Sequence, residues 1–205
     1  MENKIKLAIF ACGRGSNLET IINNCNNNVI NATVDLVISY KEDAKAVQIA
    51  RIKGIETIVI KRENFESREL FDTELSKYID LHQIDLICLA GYFQLLTPMF
   101  VQKYKNRIMN IHPSLLPAFP GFKMIKNCLK YGVKFTGCTV HFVDDDADSG
   151  PIIEQAVVPI YDFDTEESLG ARISQEEHII YSRAIQLYAL NLLNIEERKV
   201  IRKIL

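Results

Sequence analysis

The sequence predicts an α/β fold in which an open, mostly parallel, twisted sheet carries helices on both faces. Apolar runs of strand length alternate with segments of helical periodicity, and these runs are nearly continuous, as in buried parallel strands. A hydrophobic content of 48% suffices to cover such a sheet on both sides, and 205 residues suit one large domain. We therefore expect one domain over residues 1–193 and a short tail at residues 194–205.

The first half of the chain repeats a strand–helix unit. Helical spacing of apolar residues predicts a helix after Ser16, a second over residues 43–53 that is capped by Gly54, and a third over residues 67–82. The predicted strands cover residues 5–12, 34–39, 55–60, 85–90 and 107–111. This alternation is typical of strands that pair in parallel.

After Pro120 the alternation loosens. Residues 123–131 read as a helix, and residues 137–143 and 152–158 read as strands around an acidic loop, which predicts an antiparallel edge toward the C-terminus. Asp164 and Glu167 have the spacing of a capping box, and the apolar stripe that follows predicts a long helix to about residue 193.

Composition disfavours several classes of protein. A net charge of −2 without a block of basic residues gives no surface suited to nucleic acid. The apolar runs are too short to span a membrane, and the N-terminus has no signal-peptide pattern, so we expect a cytoplasmic protein. The five cysteines contain no C-x-x-C pair, and the acidic run at 144–148 lacks the register of a calcium loop, so no metal is expected.

A glycine-containing turn follows the first predicted strand. Gly15, Ser16 and Asn17 stand where a helix begins, and free N–H groups at a helix start can bind phosphate. Leu18 occupies the place of the third glycine of a dinucleotide fingerprint, so a monophosphate is the better prediction. The alternative is a tight turn with an ordinary helix cap.

The loop after the fourth predicted strand, at residues 91–98, is unusually apolar. It could receive a flat heterocycle whose edge bonds to the backbone, or it could simply pack beneath the following helix.

An amide, an imidazole and a carboxylate form the candidate catalytic group. Asn110 and His112 are two residues apart on an extended segment, Asn-x-His-Pro-Ser-Leu-Leu-Pro at 110–117, and Asp148 follows in the acidic loop. Asparagine can stabilise an oxyanion, histidine can carry a proton near neutral pH, and aspartate can orient it, which indicates carbonyl or acyl chemistry. Ser114 lacks the G-x-S-x-G elbow of a nucleophile. A purely structural histidine is the alternative for His112.

Taken together, Gly-Ser-Asn at 15–17, the segment at 110–117 and Asp-x-Gly-Pro at 148–151 closely resemble the phosphoribosylglycinamide formyltransferases, folate-dependent enzymes of purine synthesis. The resemblance covers about residues 4–193. It implies direct transfer of a formyl group from 10-formyltetrahydrofolate to the amine of 5'-phosphoribosylglycinamide, without a metal.

The resemblance also implies roles for individual residues. Asn110 would stabilise the oxyanion, His112 would donate and relay a proton, and Asp148 would orient His112 and raise its pKa. The ribonucleotide would bind Gly15, Ser16, Asn17 and, through its ribose, Glu177. The folate would bind Arg68, Phe93, Gln94, Leu95, Leu96, Asn110, Asp144, Asp145, Asp146, Ala147 and Asp148.

Three positions differ from the family pattern: Gln94 replaces a common arginine, Lys123 a common histidine and Ser149 a usual glycine. The last bears on the shape of the acidic loop, since glycine tolerates positive φ freely. Alternative functions are formyltetrahydrofolate hydrolysis, the catalytic half of an initiator-tRNA formyltransferase, or a silent folate- or nucleotide-binding module. Either enzyme alternative would be expected to carry an additional domain. The protein is expected to be a monomer or a homodimer.

Overall fold

The strands of the computed structural model, which describes residues 4–203, form one sheet in the order β3-β2-β1-β4-β5-β6-β7-β9-β8. The first five strands are parallel, and β6 and β7 add antiparallel neighbours. The strands are β1 (Ile5–Phe10), β2 (Ala32–Ser39), β3 (Glu56–Val59), β4 (Leu86–Leu89), β5 (Ile108–His112), β6 (Phe135–Phe142), β7 (Ile152–Pro159), β8 (Leu193–Glu196) and β9 (Lys199–Arg202). The predicted fold class is confirmed.

Six α-helices cover the two faces of this sheet. They are α1 (Ser16–Asn26), α2 (Lys45–Ile52), α3 (Arg68–Leu81), α4 (Pro98–Lys103), α5 (Met124–Tyr131) and α6 (Glu166–Ala189). Helices α1, α2, α5 and α6 pack with one apolar cluster, and α3 and α4 pack with the other. The predicted elements are therefore present, with most ends shifted by one or two residues.

The start of α6 differs from the prediction. Thr165, not Asp164, is the N-cap: its Oγ1 accepts from the Ser168 N–H at 3.2 Å, while the Ser168 Oγ accepts from the Thr165 N–H at 3.0 Å. Asp164 instead pairs with Arg172. The capping box is therefore Thr165–Ser168, and the predicted partner Glu167 is not part of it.

Residues beyond α6 form structure that the sequence did not predict. The helix ends at Ala189 rather than near residue 193, because the chain turns at Asn191 with φ 54°. Strands β8 and β9 then form a hairpin that joins the sheet where Ile152 pairs with Lys199. Leu193 and residues 194–202 of the predicted tail thus extend the sheet, and residues 1–3 and 204–205 lie outside the described chain.

Candidate active site

A cavity of about 550 Å³ opens at the carboxyl edge of the parallel strands. Loops after β1, β4, β5 and β6 line it, as expected for an open α/β sheet. The sequence-predicted residues that line it are Gly15, Ser16, Asn17, Arg68, Phe93, Gln94, Leu95, Leu96, Asn110, His112, Asp144, Asp145, Ala147, Asp148 and Glu177. Asp146 does not line the cavity, although its neighbours do.

One side of the cavity is formed by α1 and α6. Gly15 has φ 79°, and an added Cβ would meet the Ala46 Cα at 2.9 Å, so the turn requires glycine for both its backbone angle and its close approach to α2. Helix α1 begins at the next residue. This side therefore presents the start of a helix to the cavity.

Asn17 and Glu177 join α1 to α6 on that side. The Asn17 amide donates to the Glu177 Oε2 at 2.9 Å, and the Asn17 Oδ1 is buried without a hydrogen-bond partner in the described chain. Burial raises the pKa of Glu177, while the Asn17 hydrogen bond and the nearby Arg14 charge oppose the rise. A buried acceptor atom and a half-buried carboxylate at a cavity wall are suited to hydroxyl donors.

The opposite side of the cavity is the loop at 91–97, which lies against α3 and α4. Phe93 and Leu95 are each 56% exposed. The N–H groups of Gln94, Leu95 and Leu96 have no partner among residues 4–203, while the Leu95 carbonyl accepts from Arg68 at 2.6 Å. The loop therefore offers apolar surface together with free backbone donors.

Asn110, His112 and Asp148 meet between these two sides. Asn110 and His112 alternate along β5 with Met109 and Ile111, so they share a face of the strand. The His112 Nδ1 lies 3.4 Å from the Asp148 Oδ1, and its Nε2 lies 3.0 Å from the Phe119 carbonyl. Both ring nitrogens thus face oxygen acceptors, an arrangement that a ring with two N–H donors satisfies.

His141 is part of this group, although the sequence did not identify it. It lies opposite Asn110 in the β5–β6 pair, and its Nδ1 lies 2.8 Å from the Phe142 carbonyl, which requires an N–H there. Burial lowers the pKa of His141, although the Phe142 carbonyl and Asp148 oppose the effect. Its neutral Nε2 can therefore accept from the Asn110 amide at 3.2 Å, which orients that amide.

Asp148 lies between the two histidines. Its Oδ1 is 3.8 Å from the His141 Nε2, and its Oδ2 accepts from the Gly121 N–H at 2.8 Å. Burial disfavours ionisation, but the hydrogen bonds from His112 and Gly121 hold the pKa of Asp148 below its ordinary value.

The acidic loop keeps its shape without a glycine at 149. Asp148, not Ser149, has a positive φ, of 55°. The Ser149 Oγ donates to the Asp146 carbonyl at 2.6 Å, and its own carbonyl accepts from Arg198 at 2.6 Å. Ser149 therefore carries no left-handed strain and stabilises the turn.

Ser114 and the cysteines, the other candidate nucleophiles discussed above, do not line the cavity. Ser114 is buried and its hydroxyl donates to the Ala118 carbonyl at 2.7 Å. All five cysteines are buried. Within residues 4–203, no cluster of three or more His, Cys, Asp or Glu side chains is placed to hold a metal ion, and no helix has the length and apolar character to cross a membrane.

Comparison with known proteins agrees with this fold. The formyl transferase family model matches residues 5–185. The chain therefore belongs to the formyl transferase family and is an enzyme of that class.

Several individual relatives within this family are phosphoribosylglycinamide formyltransferases. The chain is 41% identical over 193 residues to the phosphoribosylglycinamide formyltransferase of Escherichia coli, covering 94% of this chain and 91% of the relative. The crystal structure of glycinamide ribonucleotide transformylase 1 from Symbiobacterium toebii has a TM-score of 0.96 at 42% identity, covering 98% and 95% of the two chains. A formyltetrahydrofolate deformylase from Pseudomonas syringae also matches, with a TM-score of 0.91 at 25% identity, covering 97% of this chain but 66% of that one.

Proposed function

We propose that this chain transfers the formyl group of 10-formyltetrahydrofolate to the amine of 5'-phosphoribosylglycinamide, giving formylglycinamide ribonucleotide and tetrahydrofolate in purine biosynthesis. One observation carries the proposal: a single cavity joins the α1 helix start to the apolar loop at 91–97, with Asn110, His112 and Asp148 between them. Two ligands that enter from opposite sides would meet at these three side chains.

The ribonucleotide is assigned to the α1 and α6 side. The N–H groups at the turn of Gly15, Ser16 and Asn17 would bind its phosphate. Glu177, whose Oε2 already accepts from Asn17, would accept a ribose hydroxyl. These contacts would direct the glycinamide amine toward β5.

The folate is assigned to the side formed by the loop at 91–97. The free N–H groups of Gln94, Leu95 and Leu96 would bind the edge of the pteridine. Arg68 would lie beside the carboxylate end of the folate. The backbone around Asp144, Asp145 and Ala147 would close the site, and the side chain of Asp146 would contribute less, because it lies outside the cavity lining.

The chemical step follows from the three central side chains. The amine attacks the formyl carbon, and the Asn110 amide, oriented by His141, donates to the oxygen that becomes negative. His112 gives a proton to the departing folate nitrogen and receives one from the amine, so the net proton balance is zero. Asp148 stabilises the protonated ring. To reach a ligand, His112 must exchange its Nε2 contact with Phe119 for a ligand atom.

Hydrolysis of the formyl group is the second candidate, because the deformylase shares the fold. The α1 turn and Glu177 favour transfer, since hydrolysis requires no ribonucleotide site. Purified protein should be mixed with 10-formyltetrahydrofolate, with and without the ribonucleotide, while the folate absorbance is followed. We expect turnover only with both. Turnover without the ribonucleotide would establish hydrolysis, and no turnover with either would indicate a binding module.

A further inference from the structure

Two side chains of α3 hold the loop at 91–97 from one side. Arg68 and Asp72 are one helical turn apart, so they project in the same direction. Arg68 donates to the Leu95 carbonyl at 2.6 Å, and Asp72 Oδ2 accepts from the Thr97 N–H at 2.6 Å. The last three residues of the loop are therefore fixed at two points.

Asp72 is an unusual residue for its position. It is 1% exposed and lies on the face of α3 that otherwise buries Phe71, Leu75 and Ile79. A buried carboxylate is unfavourable unless it is hydrogen-bonded. The Asp72 carboxylate accepts a hydrogen bond from the backbone N–H of Thr97. Burial raises the pKa of Asp72, whereas Thr97 and the Arg68 charge oppose the rise. Its polar contact therefore serves the loop and not the packing of the helix.

The loop between its ends depends on these anchors. It begins at Gly91, with φ 76°, whose carbonyl accepts from the Cys12 N–H, and it ends at Thr97, where α4 begins. Phe93 and Leu95 are more than half exposed, so apolar burial gives them little support. Free N–H groups can receive a ligand only if the backbone holds their directions.

We propose that Asp72 is a positioning residue for the folate co-substrate: together with Arg68, it holds the loop at 91–97 in the shape that receives the pteridine. Asp72 does not line the cavity, so it acts through Thr97 and not by contact with the ligand. This inference rests on the proposed function for the identity of the ligand, but the loop anchoring can be tested separately.

The test compares Asp72→Ala with Asp72→Asn. Alanine removes the acceptor, whereas the asparagine Oδ1 can still accept from the Thr97 N–H. Because a hydrogen bond to a charged group contributes about a ten- to hundredfold change in an equilibrium, Asp72→Ala should raise the KM for 10-formyltetrahydrofolate by roughly tenfold or more. The KM for the ribonucleotide should change less than about twofold, since its side of the cavity is formed by other helices. Asp72→Asn should restore most of the folate KM.

Thr73→Ala is the matched control, because Thr73 lies on the exposed side of α3 and bonds only within the helix. Hydrogen exchange gives a second readout: the Thr97 N–H, which donates to Asp72, should exchange faster in Asp72→Ala and not in Thr73→Ala. If Asp72→Ala does not fold, Asp72→Leu removes the acceptor while keeping the branched shape of the side chain, and hydrogen exchange in Asp72→Asn reports on the same contact.

An unchanged folate KM in Asp72→Ala, an equal rise of both KM values, or failure of Asp72→Asn to recover would overturn the positioning role. A wild-type protein without folate-dependent turnover would overturn the proposed function instead. In that case the exchange of the Thr97 N–H would still show whether Asp72 orders the loop.

Discussion

At the residue scale, Asp148 is the centre of the candidate catalytic group. It contacts His112 and His141 through one oxygen and the Gly121 N–H through the other. Asparagine at 148 would keep the shape but lose the negative charge, and alanine at 112 would remove the proton carrier. We expect His112→Ala and Asp148→Asn each to lower kcat by about 10²–10⁴-fold, the range for general acid–base catalysis. The affinity for the ribonucleotide should change little.

The matched control is Asp162→Asn, which removes an exposed carboxylate that pairs only with Lys134. It should have wild-type turnover.

Because the pKa of Asp148 is lowered in the folded protein, its ionised contacts contribute stability above the unfolded-state pKa, and this stability is lost as the pH falls through the folded-state pKa. Because the pKa of Asp148 is below its ordinary value of about 3.9, ionisation of Asp148 does not produce an acid limb of the pH–rate profile above about pH 5. Any acid limb above that pH should therefore persist in the residual activity of Asp148→Asn. Wild-type turnover in either catalytic-site variant would contradict these roles.

The sequence could identify Asn110 and His112 because their types and spacing carry chemistry by themselves. His141 could not be found in this way, since its role depends on the register that places it opposite Asn110 across an antiparallel pair. The positive φ of Asp148 was equally hidden, because sequence indicates where glycine permits such an angle but not where another residue adopts it.

At the element scale, the sequence predicted the elements that carry a clear helical spacing or a continuous apolar run, including the four-residue strands β3 and β4, but it did not predict α4, β8 or β9. Helix α3 was placed to within one residue at each end, because its apolar spacing and the Ser67 cap agree. Helix α4 has only six residues, so it offers too little periodicity to be recognised. Strands β8 and β9 have four residues each; β8 alternates apolar with polar side chains, whereas β9 has two adjacent apolar residues between Lys199 and Arg202. Their pairing depends on contacts with the sheet.

The start of α6 gives a testable correction. Thr165 and Ser168 satisfy one another's backbone N–H groups, whereas Glu167 is outside this pair. Thr165→Ala should lower the free energy of unfolding by about 1 kcal/mol, as for loss of an N-cap. Glu167→Ala should cost less than about 0.5 kcal/mol, from the helix dipole alone. Urea denaturation of both variants measures the difference, and a larger loss in Glu167→Ala would support the capping box first predicted from the sequence.

At the scale of the whole molecule, the cavity lies at the carboxyl edge of the sheet and is lined by residues from both of its faces. The helices α1 and α6 bring Asn17 and Glu177 from one face, and α3 brings Arg68 from the other. Strand β5 ends between them with His112. Because each ligand side is built on a different face, changes on one face should leave binding on the other intact, which is the basis of the KM comparison for Asp72.

The buried carboxylate of Glu154 links the β8–β9 hairpin to β7 and α6. The Glu154 side chain, on β7, is 6% exposed and lies 2.6 Å from Arg183 of α6 and 3.1 Å from Arg202 of β9. Its Oε2 has the Arg202 contact as an ion pair without an aligned hydrogen bond. The two arginine side chains are 54% and 46% exposed, so solvent screens each pair. Three elements that are distant in sequence thus depend on one carboxylate.

Removing both arginines should therefore cost more than the two single losses together. Arg183→Ala and Arg202→Ala should each lower the free energy of unfolding by about 1 kcal/mol or less, because the other arginine still pairs with Glu154. The double variant leaves a buried carboxylate unpaired, for which about 3 kcal/mol is expected. Glu154→Gln in the double variant should recover part of that loss, since it removes the charge. Urea denaturation of the wild type and the four variants tests this coupling, and additive losses would show that Glu154 does not join α6 to the hairpin.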